Sequence, residues 1–226
     1  MLKSLCEAMG NRILYFCAAS GKLTLLLLAT LRRLKDANAK EVVRQMALLG
    51  ADSLPIVMMT ILCTGMVFSV QTAKEFVRLG ASSSVGGIVA IAMARELVPV
   101  LTGVVVAGRI GAVPRFIALV LMMPVLVVFA NFIGNIGGWV VAHYYAGIGS
   151  FTYENSIRTL AEFYDVFGGM VKSCVFGAII AIVGCYKGLN APNGAEGVGL
   201  ATTASVVLSI ILVFITNYFL SIVLYV

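Results

Sequence analysis

Five long apolar stretches set the strongest limit on how this chain can fold. Each is long enough to cross a bilayer, whose hydrocarbon core of about 30 Å is spanned by about 20 helical residues. Hydrophobic residues make up 61% of the chain and charged residues only 12%, whereas a soluble domain has roughly 25% charged residues. We therefore predict an all-α membrane protein with transmembrane helices at about 53–71, 85–112, 116–142, 167–186 and 201–226.

The first 52 residues are predicted to form a separate segment. Leu5, Met9 and Ile13 recur at helical spacing with charged residues between them, which is typical of an amphipathic helix lying in the membrane interface. The apolar run 13–31 has Lys22 near its middle, where a lysine costs about 2.5–3.5 kcal/mol. Residues 1–52 are therefore predicted to be an N-terminal interfacial or re-entrant helix with a polar connector, followed by a five-helix transmembrane domain over 53–226.

The distribution of basic residues predicts the orientation of the chain. Eight Lys and Arg residues lie in the first fifty, and eleven of the sixteen in the chain fall on the segments that this topology places inside. By the positive-inside rule the N-terminus is cytoplasmic and the C-terminus lies on the outer side. Residues 143–165, rich in Tyr, Phe and charged side chains, are predicted to form an outer loop with a short amphipathic helix. Cytoplasmic loops and anionic lipids account for the net charge of +6, so nucleic-acid binding is not predicted.

Arg95 and Glu96 are the leading candidate site residues, because they lie side by side within an apolar run. Charges at bilayer depth cost several kcal/mol and usually face a bundle interior or a wet cavity. Pro99 has no N–H to bond the carbonyl of Arg95, so we expect the helix to kink or loosen at its charges. The alternative is an Arg95–Glu96 ion pair that only locks the bundle.

Small residues at every fourth position predict where helices pack closely. Gly103, Ala107 and Gly111 form one such seam, which together with Pro99 is our candidate for helix packing and gating. A second seam consists of Gly134, Gly138 and Ala142. Small side chains let neighbouring membrane helices approach one another and slide.

Motifs for catalysis or for nucleotide binding are not found in the sequence. The stretch Ser20–Thr24 departs from a phosphate loop, because Phe16 replaces its first glycine and Leu23 its Ser/Thr. The five cysteines are scattered singly, and His143 is the only histidine, so neither a metal site nor a bound cofactor is predicted. Transport is therefore a better prediction than chemistry within the membrane.

Four motifs closely resemble the MlaE (YrbE) permease family. They are Arg95–Leu101, Ala107–Ala112, Pro114–Ala118 and Glu196–Thr203, in the family's order, and the resemblance extends from about Ala47 to the C-terminus. It implies the membrane subunit of an ABC transporter that moves phospholipids between the inner and outer membranes of Gram-negative bacteria and so maintains outer-membrane lipid asymmetry. It further implies a five-span permease with an N-terminal interfacial helix, in the inner membrane, with its C-terminus in the periplasm.

The same resemblance implies partners and site residues. The partners are a second copy of the chain, two ATPase subunits that bind ATP and Mg²⁺, a periplasmic ring of MCE-domain subunits and, in many members, a STAS-domain subunit. The chain itself is then not an enzyme. By position, the predicted lipid-binding residues are Arg95, Glu96, Leu97, Lys172 and Gln71. On the last helix, where relatives can carry an acidic residue, this chain has Asn217.

The chain departs from the family between Ala112 and Pro114. Members usually carry an additional cytoplasmic helix there that docks on the ATPase, whereas Val113 joins the two motifs directly in this chain. Either the chain has lost this helix or residues are missing at the junction, and the fit on both sides favours the second alternative. A Cα–Cα distance far above 3.8 Å at the junction would show missing residues.

Two other classes of protein remain as alternatives. A secondary transporter would have internal repeats or matching broken helices in two halves, and the five unequal spans show neither. An intramembrane lipid-modifying enzyme would need a nucleophile, an acid–base pair or a metal, and would form product without an ATPase.

Overall fold

The computed structural model describes residues 21–26, 28–29, 32, 39–110 and 116–225. Every regular element in these residues is helical, and residues 21–26 and 28–29 are helical as well. The longer elements are α1 (Ala39–Arg78), α2 (Val85–Ala92), a π-helical turn (Met93–Leu97), α3 (Val98–Ile110), α4 (Phe116–Tyr144), α5 (Ser150–Leu160), α6 (Phe163–Leu189) and α7 (Ala195–Tyr225).

Five helices of the described chain are long and apolar enough to cross a membrane, which confirms the predicted all-α membrane fold. They are Ala39–Arg78, Ser82–Arg109, Phe116–Tyr144, Phe163–Leu189 and Ala195–Tyr225, the second of which comprises α2, the π-helical turn and α3. Most extend beyond the predicted spans, because a helix need not end where its apolar run ends. Helix α1 has 40 residues and is about 60 Å long at 1.5 Å per residue, so the polar connector before Ser53 continues directly into the first span.

Helices α1 and α4 pack closely because glycine residues lie at their contact. A Cβ atom at Gly65 would collide with the backbone carbonyl of Gly134, and one at Gly134 would collide with Met93 and Ile61. The hydroxyl of Ser69 donates a 2.8 Å hydrogen bond to the carbonyl of Gly138 across the same contact. This close approach confirms that the seam through Gly134 and Gly138 packs helices.

Helix α5 is the amphipathic helix predicted between the third and fourth spans. Its buried side chains are Tyr153 and Ser156, and the Ser156 hydroxyl accepts a 2.9 Å hydrogen bond from the backbone N–H of Gly87. Phe151 on its other face is exposed. The face of α5 that carries Tyr153 and Ser156 therefore packs against the start of α2.

Three expectations concern residues outside the described part of the chain. They are most of the interfacial helix predicted within residues 1–52, of which 1–20, 27, 30–31 and 33–38 are not described, the packing role of Gly111, and the length of the junction between Ala112 and Pro114. The connection between the fourth and fifth spans is shorter than the predicted spans imply, since α6 ends at Leu189 and α7 begins at Ala195.

Candidate functional site

The π-helical turn Met93–Leu97 lies at the middle of the second span and carries Arg95 and Glu96. A π turn is a local widening of a helix that is frequent at functional sites. Pro99 follows it and, having no N–H, cannot bond the Arg95 carbonyl as an α-helical residue would. The predicted disturbance of the helix therefore occurs at its two charges.

Arg95 pairs with α6 and not with its neighbour Glu96. Its Nε donates a 2.6 Å hydrogen bond to Oδ1 of Asp165. The Asp165 side chain is 1% exposed and that of Arg95 is 35% exposed. The guanidinium also lies over the ring of Tyr225 at the end of α7, with 4.6 Å between its carbon and the ring centroid, a favourable cation–π distance.

Glu96 pairs with Lys172, which lies on α6 as Asp165 does. The Lys172 ammonium lies 2.8 Å from Oε1 of Glu96, 2.9 Å from the Arg95 carbonyl and 2.8 Å from the Ser221 hydroxyl. These three acceptors use all three N–H groups of the ammonium. Lys172 has no exposed surface, whereas the Glu96 side chain is 40% exposed.

Helix α7 completes the shell around Glu96. The Asn217 amide donates a 2.8 Å hydrogen bond to Oε2 of Glu96. The Ser221 hydroxyl lies 2.8 Å from Oε1 of Glu96 and 2.8 Å from the Asn217 carbonyl, and its single proton serves one of them at a time. We call Arg95, Glu96, Asp165, Lys172, Asn217, Ser221 and Tyr225 the charged cluster.

The Arg95–Glu96 ion pair that the sequence left open as an alternative is not formed, because each of these charges pairs with α6 instead. Asp165 and Lys172 are buried charges that tie α6 to the π turn, as expected of a structural lock. Arg95 and Glu96 each retain about a third or more of their side-chain surface exposed, as expected of a site. The proposed lipid contact of Lys172 stays a prediction, and in this structure its ammonium is covered.

Asp165 is the charged residue of the site that sequence reasoning missed. It was assigned only to the outer loop, although it is the third residue of α6 and its Oδ2 accepts a 2.9 Å hydrogen bond from the backbone N–H of Glu162. Glu162 and Asp165 form a capping box, which is visible as a pair of acidic residues three apart before an apolar run. That signal places Asp165 at the start of a membrane helix, where a cross-helix partner could be expected.

Two other predicted lipid-binding residues come together in a groove between α1 and the π turn. Gln71 and Leu97 both line it, and its volume is about 330 Å³. The remaining lining side chains are mainly apolar: Cys63, Thr64, Val67 and Phe68. Leu97 follows Glu96 in the chain, but it lines this groove with α1, whereas Glu96 contacts α6 and α7.

The predicted packing residues in the described chain are buried between helices. Gly103 lies against Phe176 of α6 and Val213 of α7, and Ala107 is buried on the same face. The Pro99 ring and the Ala94 carbonyl approach Gly169 of α6, where any Cβ would collide with that carbonyl. Small residues therefore let α6 reach the π turn.

Side chains that could bind a metal ion are not clustered in the described residues. Within residues 39–110 and 116–225 and the short stretches before them, no three His, Cys, Asp or Glu side chains are placed to hold a metal ion. The ring of His143 stacks on Trp139 with 5.9 Å between centroids, and its Nδ1 lies 3.2 Å from the Ile148 carbonyl. His143 thus has a structural position at the end of α4.

Five apolar helices, three of which contribute the charged cluster, define a multi-pass membrane protein. The family model for "Permease MlaE" matches residues 42–113 and 112–223, and the chain belongs to that family of ABC transporter permeases.

Named relatives agree with this assignment. A probable ABC transporter permease protein of Synechocystis sp. is 38% identical over 214 residues, covering 81% of each chain. One of Rickettsia felis is 34% identical over 253 residues, covering 98% of each. The chloroplastic protein TRIGALACTOSYLDIACYLGLYCEROL 1 of Arabidopsis thaliana is 32% identical over 212 residues, covering 80% of this chain and 61% of its own.

The comparisons also bear on the junction after Ala112. The alignment with the Rickettsia felis protein spans 253 residues, more than the 226 of this chain, so that relative fills positions that this chain lacks. The two segments of the family match meet at residues 112–113. This is the point at which the family resemblance predicts an additional cytoplasmic helix.

Proposed function

We propose that this chain is the membrane subunit of an ABC transporter that moves phospholipids between the inner and outer membranes, with the lipid headgroup bound at Arg95 and Glu96. The observation that carries the proposal is the exposure of these two charges at the middle of a span, although each already has a buried partner. An isolated charge at that depth is costly. Partly exposed, supported charges suit a polar group that enters the membrane layer, as a headgroup does.

The surroundings of the cluster fit the rest of a phospholipid. The groove lined by Gln71 and Leu97 is mainly apolar, so it can receive an acyl chain. The Arabidopsis relative is named for trigalactosyldiacylglycerol, and that name points to a glycerolipid. Both features favour a lipid over a water-soluble substrate.

The position of the cluster supports an orientation. It joins the π turn to the N-terminal half of α6 and the C-terminal third of α7. With a cytoplasmic N-terminus and a periplasmic C-terminus, as the basic residues predict, this end of the bundle faces the periplasm. The headgroup site then opens toward the outer leaflet of the inner membrane.

The proposed assembly follows the family. Two copies of the chain enclose the lipid cavity, two ATPase subunits bind ATP and Mg²⁺ on the cytoplasmic side, and an MCE-domain ring receives the lipid on the periplasmic side, with a STAS-domain subunit as a further partner. ATP binding squeezes or reopens the cavity. The π turn, Pro99 and the small-residue contacts at Gly103 and Gly169 are the elements of this chain that permit its helices to shift.

Reconstitution tests the headgroup role. Arg95→Ala, assembled with its ATPase in vesicles, should lose most ATP-dependent phospholipid transfer while the complex still assembles. The matched control is Arg158→Ala, which removes an exposed arginine that is paired with Glu154 on α5, and its transfer should equal that of the parent. Unchanged transfer by Arg95→Ala would contradict the headgroup role of this residue.

Co-purification tests the assembly itself. In mild detergent, the chain should retain an ATPase and an MCE-domain protein. Membership of an ABC permease family argues against the secondary-transporter alternative, and the enzyme alternative would require product formation by the chain without ATPase. Lipid conversion by the isolated chain, with no associated ATPase, would overturn the proposal.

A further inference from the structure

The four charges of the charged cluster differ in their access to a ligand. Asp165 and Lys172 are buried, at 1% and 0% exposure, while Arg95 and Glu96 remain about a third exposed or more. Each buried charge is paired with an exposed charge of opposite sign, at 2.6 Å and 2.8 Å. An incoming headgroup therefore meets one positive and one negative group.

The cation available to a phosphate is Arg95 alone. The three N–H groups of Lys172 are directed to the Arg95 carbonyl, Glu96 and Ser221. Arg95, in contrast, uses only its Nε in the pair with Asp165, and a guanidinium carries five N–H donors. Its terminal nitrogens, which have no other hydrogen bond among the described residues, can bind a phosphate in the forked geometry that arginine prefers.

The anion available to a cation is Glu96. Its two oxygens accept hydrogen bonds from Lys172, Asn217 and Ser221, and a carboxylate has about four lone-pair positions. One lone-pair position therefore remains for a further donor, and the side chain is 40% exposed. A neutral hydroxyl can also donate to this carboxylate, but only a cationic donor adds an ion pair to the hydrogen bond and balances the charge of a phosphate bound at Arg95.

The formal charges of Arg95, Glu96, Asp165 and Lys172 cancel. An anionic headgroup with a neutral alcohol would pair its phosphate with Arg95 but would bring no cation to Glu96, and it would leave the site with a net negative charge. A headgroup with a phosphate and an ammonium satisfies both exposed groups and leaves the site neutral. Complementarity of this kind selects between ligands of equal size.

We infer that the charged cluster selects zwitterionic aminophospholipids over anionic ones, with Arg95 binding the phosphate and Glu96 the ammonium. This inference rests on the proposed function and assigns its substrate class. Glu96 is then the residue that determines specificity, whereas Arg95 serves every phospholipid.

Transfer assays with matched lipids test the inference. Vesicles contain phosphatidylethanolamine or phosphatidylglycerol with identical acyl chains, and the full complex is supplied with ATP. One charge-assisted hydrogen bond predicts about a tenfold preference for phosphatidylethanolamine. Glu96→Gln keeps an oxygen for Lys172 but removes the negative charge, and should reduce the preference to about twofold or less.

The same transfer assay includes a control variant and gives the results that would overturn the inference. Glu154→Gln makes the same change in the exposed ion pair with Arg158 and should keep the tenfold preference. Equal transfer of both lipids by the parent, faster transfer of phosphatidylglycerol, or a preference retained by Glu96→Gln would overturn the inference. No ATP-dependent transfer of either lipid would instead contradict the proposed function.

If Glu96→Gln does not assemble, a second lipid comparison tests the role of Glu96 with the parent complex. N-acylation of phosphatidylethanolamine removes the ammonium and leaves the phosphate and acyl chains. The parent complex should transfer this lipid about tenfold more slowly than the unmodified one. Equal rates for the two lipids would overturn the role of Glu96.

Discussion

The Lys172 ammonium donates a 2.9 Å hydrogen bond to the backbone carbonyl of Arg95, the carbonyl to which Pro99 has no N–H to donate. A proline in a membrane helix is tolerated where other groups satisfy the backbone that it frees. Here that group is a buried cation on a neighbouring helix, which also neutralises Glu96. Backbone geometry and charge pairing are therefore joined at one atom, the Nζ of Lys172.

Lys172→Met should destabilise the protein strongly. The change keeps the length of the side chain but removes the charge that pairs with Glu96 and the donor to the Arg95 carbonyl. Breaking a buried pair costs about 3–5 kcal/mol, and the partial exposure of Glu96 places this case near the lower value. Denaturant unfolding in detergent, followed by fluorescence of Trp139, the single tryptophan, measures the free energy of unfolding.

The double variant Lys172→Met with Glu96→Gln isolates the cost of the unpaired charge. It should recover more than half of the loss, because no uncompensated carboxylate remains. Lys74→Met, at an exposed position, is the control and should stay within about 0.5 kcal/mol of the parent. Equal losses in the single and double variants would contradict a charge-pairing role for Lys172.

Asp165 has two functions that can be separated by substitution. Asp165→Asn retains an oxygen for the backbone N–H of Glu162 but gives up the ion pair with Arg95, whereas Asp165→Ala loses both. We expect the Asn variant to lose about 1–2 kcal/mol, since Arg95 is partly solvated, and the Ala variant about 1 kcal/mol more, the usual value of a helix cap. The free energy of unfolding is measured by the same denaturant experiment. Equal values for the Asn and Ala variants would contradict the capping role of Asp165.

The fold was predictable because hydropathy and length are properties of single segments. The five runs of apolar residues identified the five spans, and Pro99 identified the place where the second span is disturbed. The partners of Arg95 and Glu96 were not predictable in the same way, because Asp165 and Lys172 are 70 and 76 residues away in the chain. Which charges face each other depends on how α6 is rotated against the π turn.

The sequence predicts which helix faces pack closely, but not which helix each face contacts. Spacing by four placed Gly134 and Gly138 on one face, which is a property of the helix alone. That this face meets Gly65 and Ser69 of α1 depends on how α1 and α4 pack against each other in the folded bundle. No alternation or spacing within one segment contains that information.

Gly65→Ala should destabilise the contact between α1 and α4. The new Cβ would lie against the Gly134 carbonyl, a backbone atom that cannot move as a flexible side chain can. Overpacking of this kind costs about 1–3 kcal/mol. Gly199→Ala is the matched control, because its Cβ meets no atom within 4 Å and alanine favours a helix by about 0.5–1 kcal/mol. Opposite shifts in unfolding free energy are expected, and equal shifts would show that α1 and α4 are not in close contact.

Tyr153 offers a prediction about pH, because α5 lies outside the spanning helices. Its side chain is buried and its hydroxyl has no hydrogen-bond partner among the described residues, so burial raises the pKa of this phenol above its ordinary value of 10.0. The unfolded chain therefore loses this proton at lower pH than the folded chain does. The contribution to stability is fully present below pH 10.0 and is lost as the pH rises above it.

Tyr153→Phe tests both consequences of that burial. At neutral pH the variant should unfold within about 1 kcal/mol of the parent, since it removes a hydroxyl that makes no bond among the described residues. Above pH 10.0 the parent should lose stability more steeply than the variant, because only the parent has a buried phenol to ionise. The same substitution at exposed Tyr145 controls for general effects of alkali. If the parent and Tyr153→Phe show the same alkaline unfolding midpoint, the phenol is not shielded from water between α5 and the start of α2.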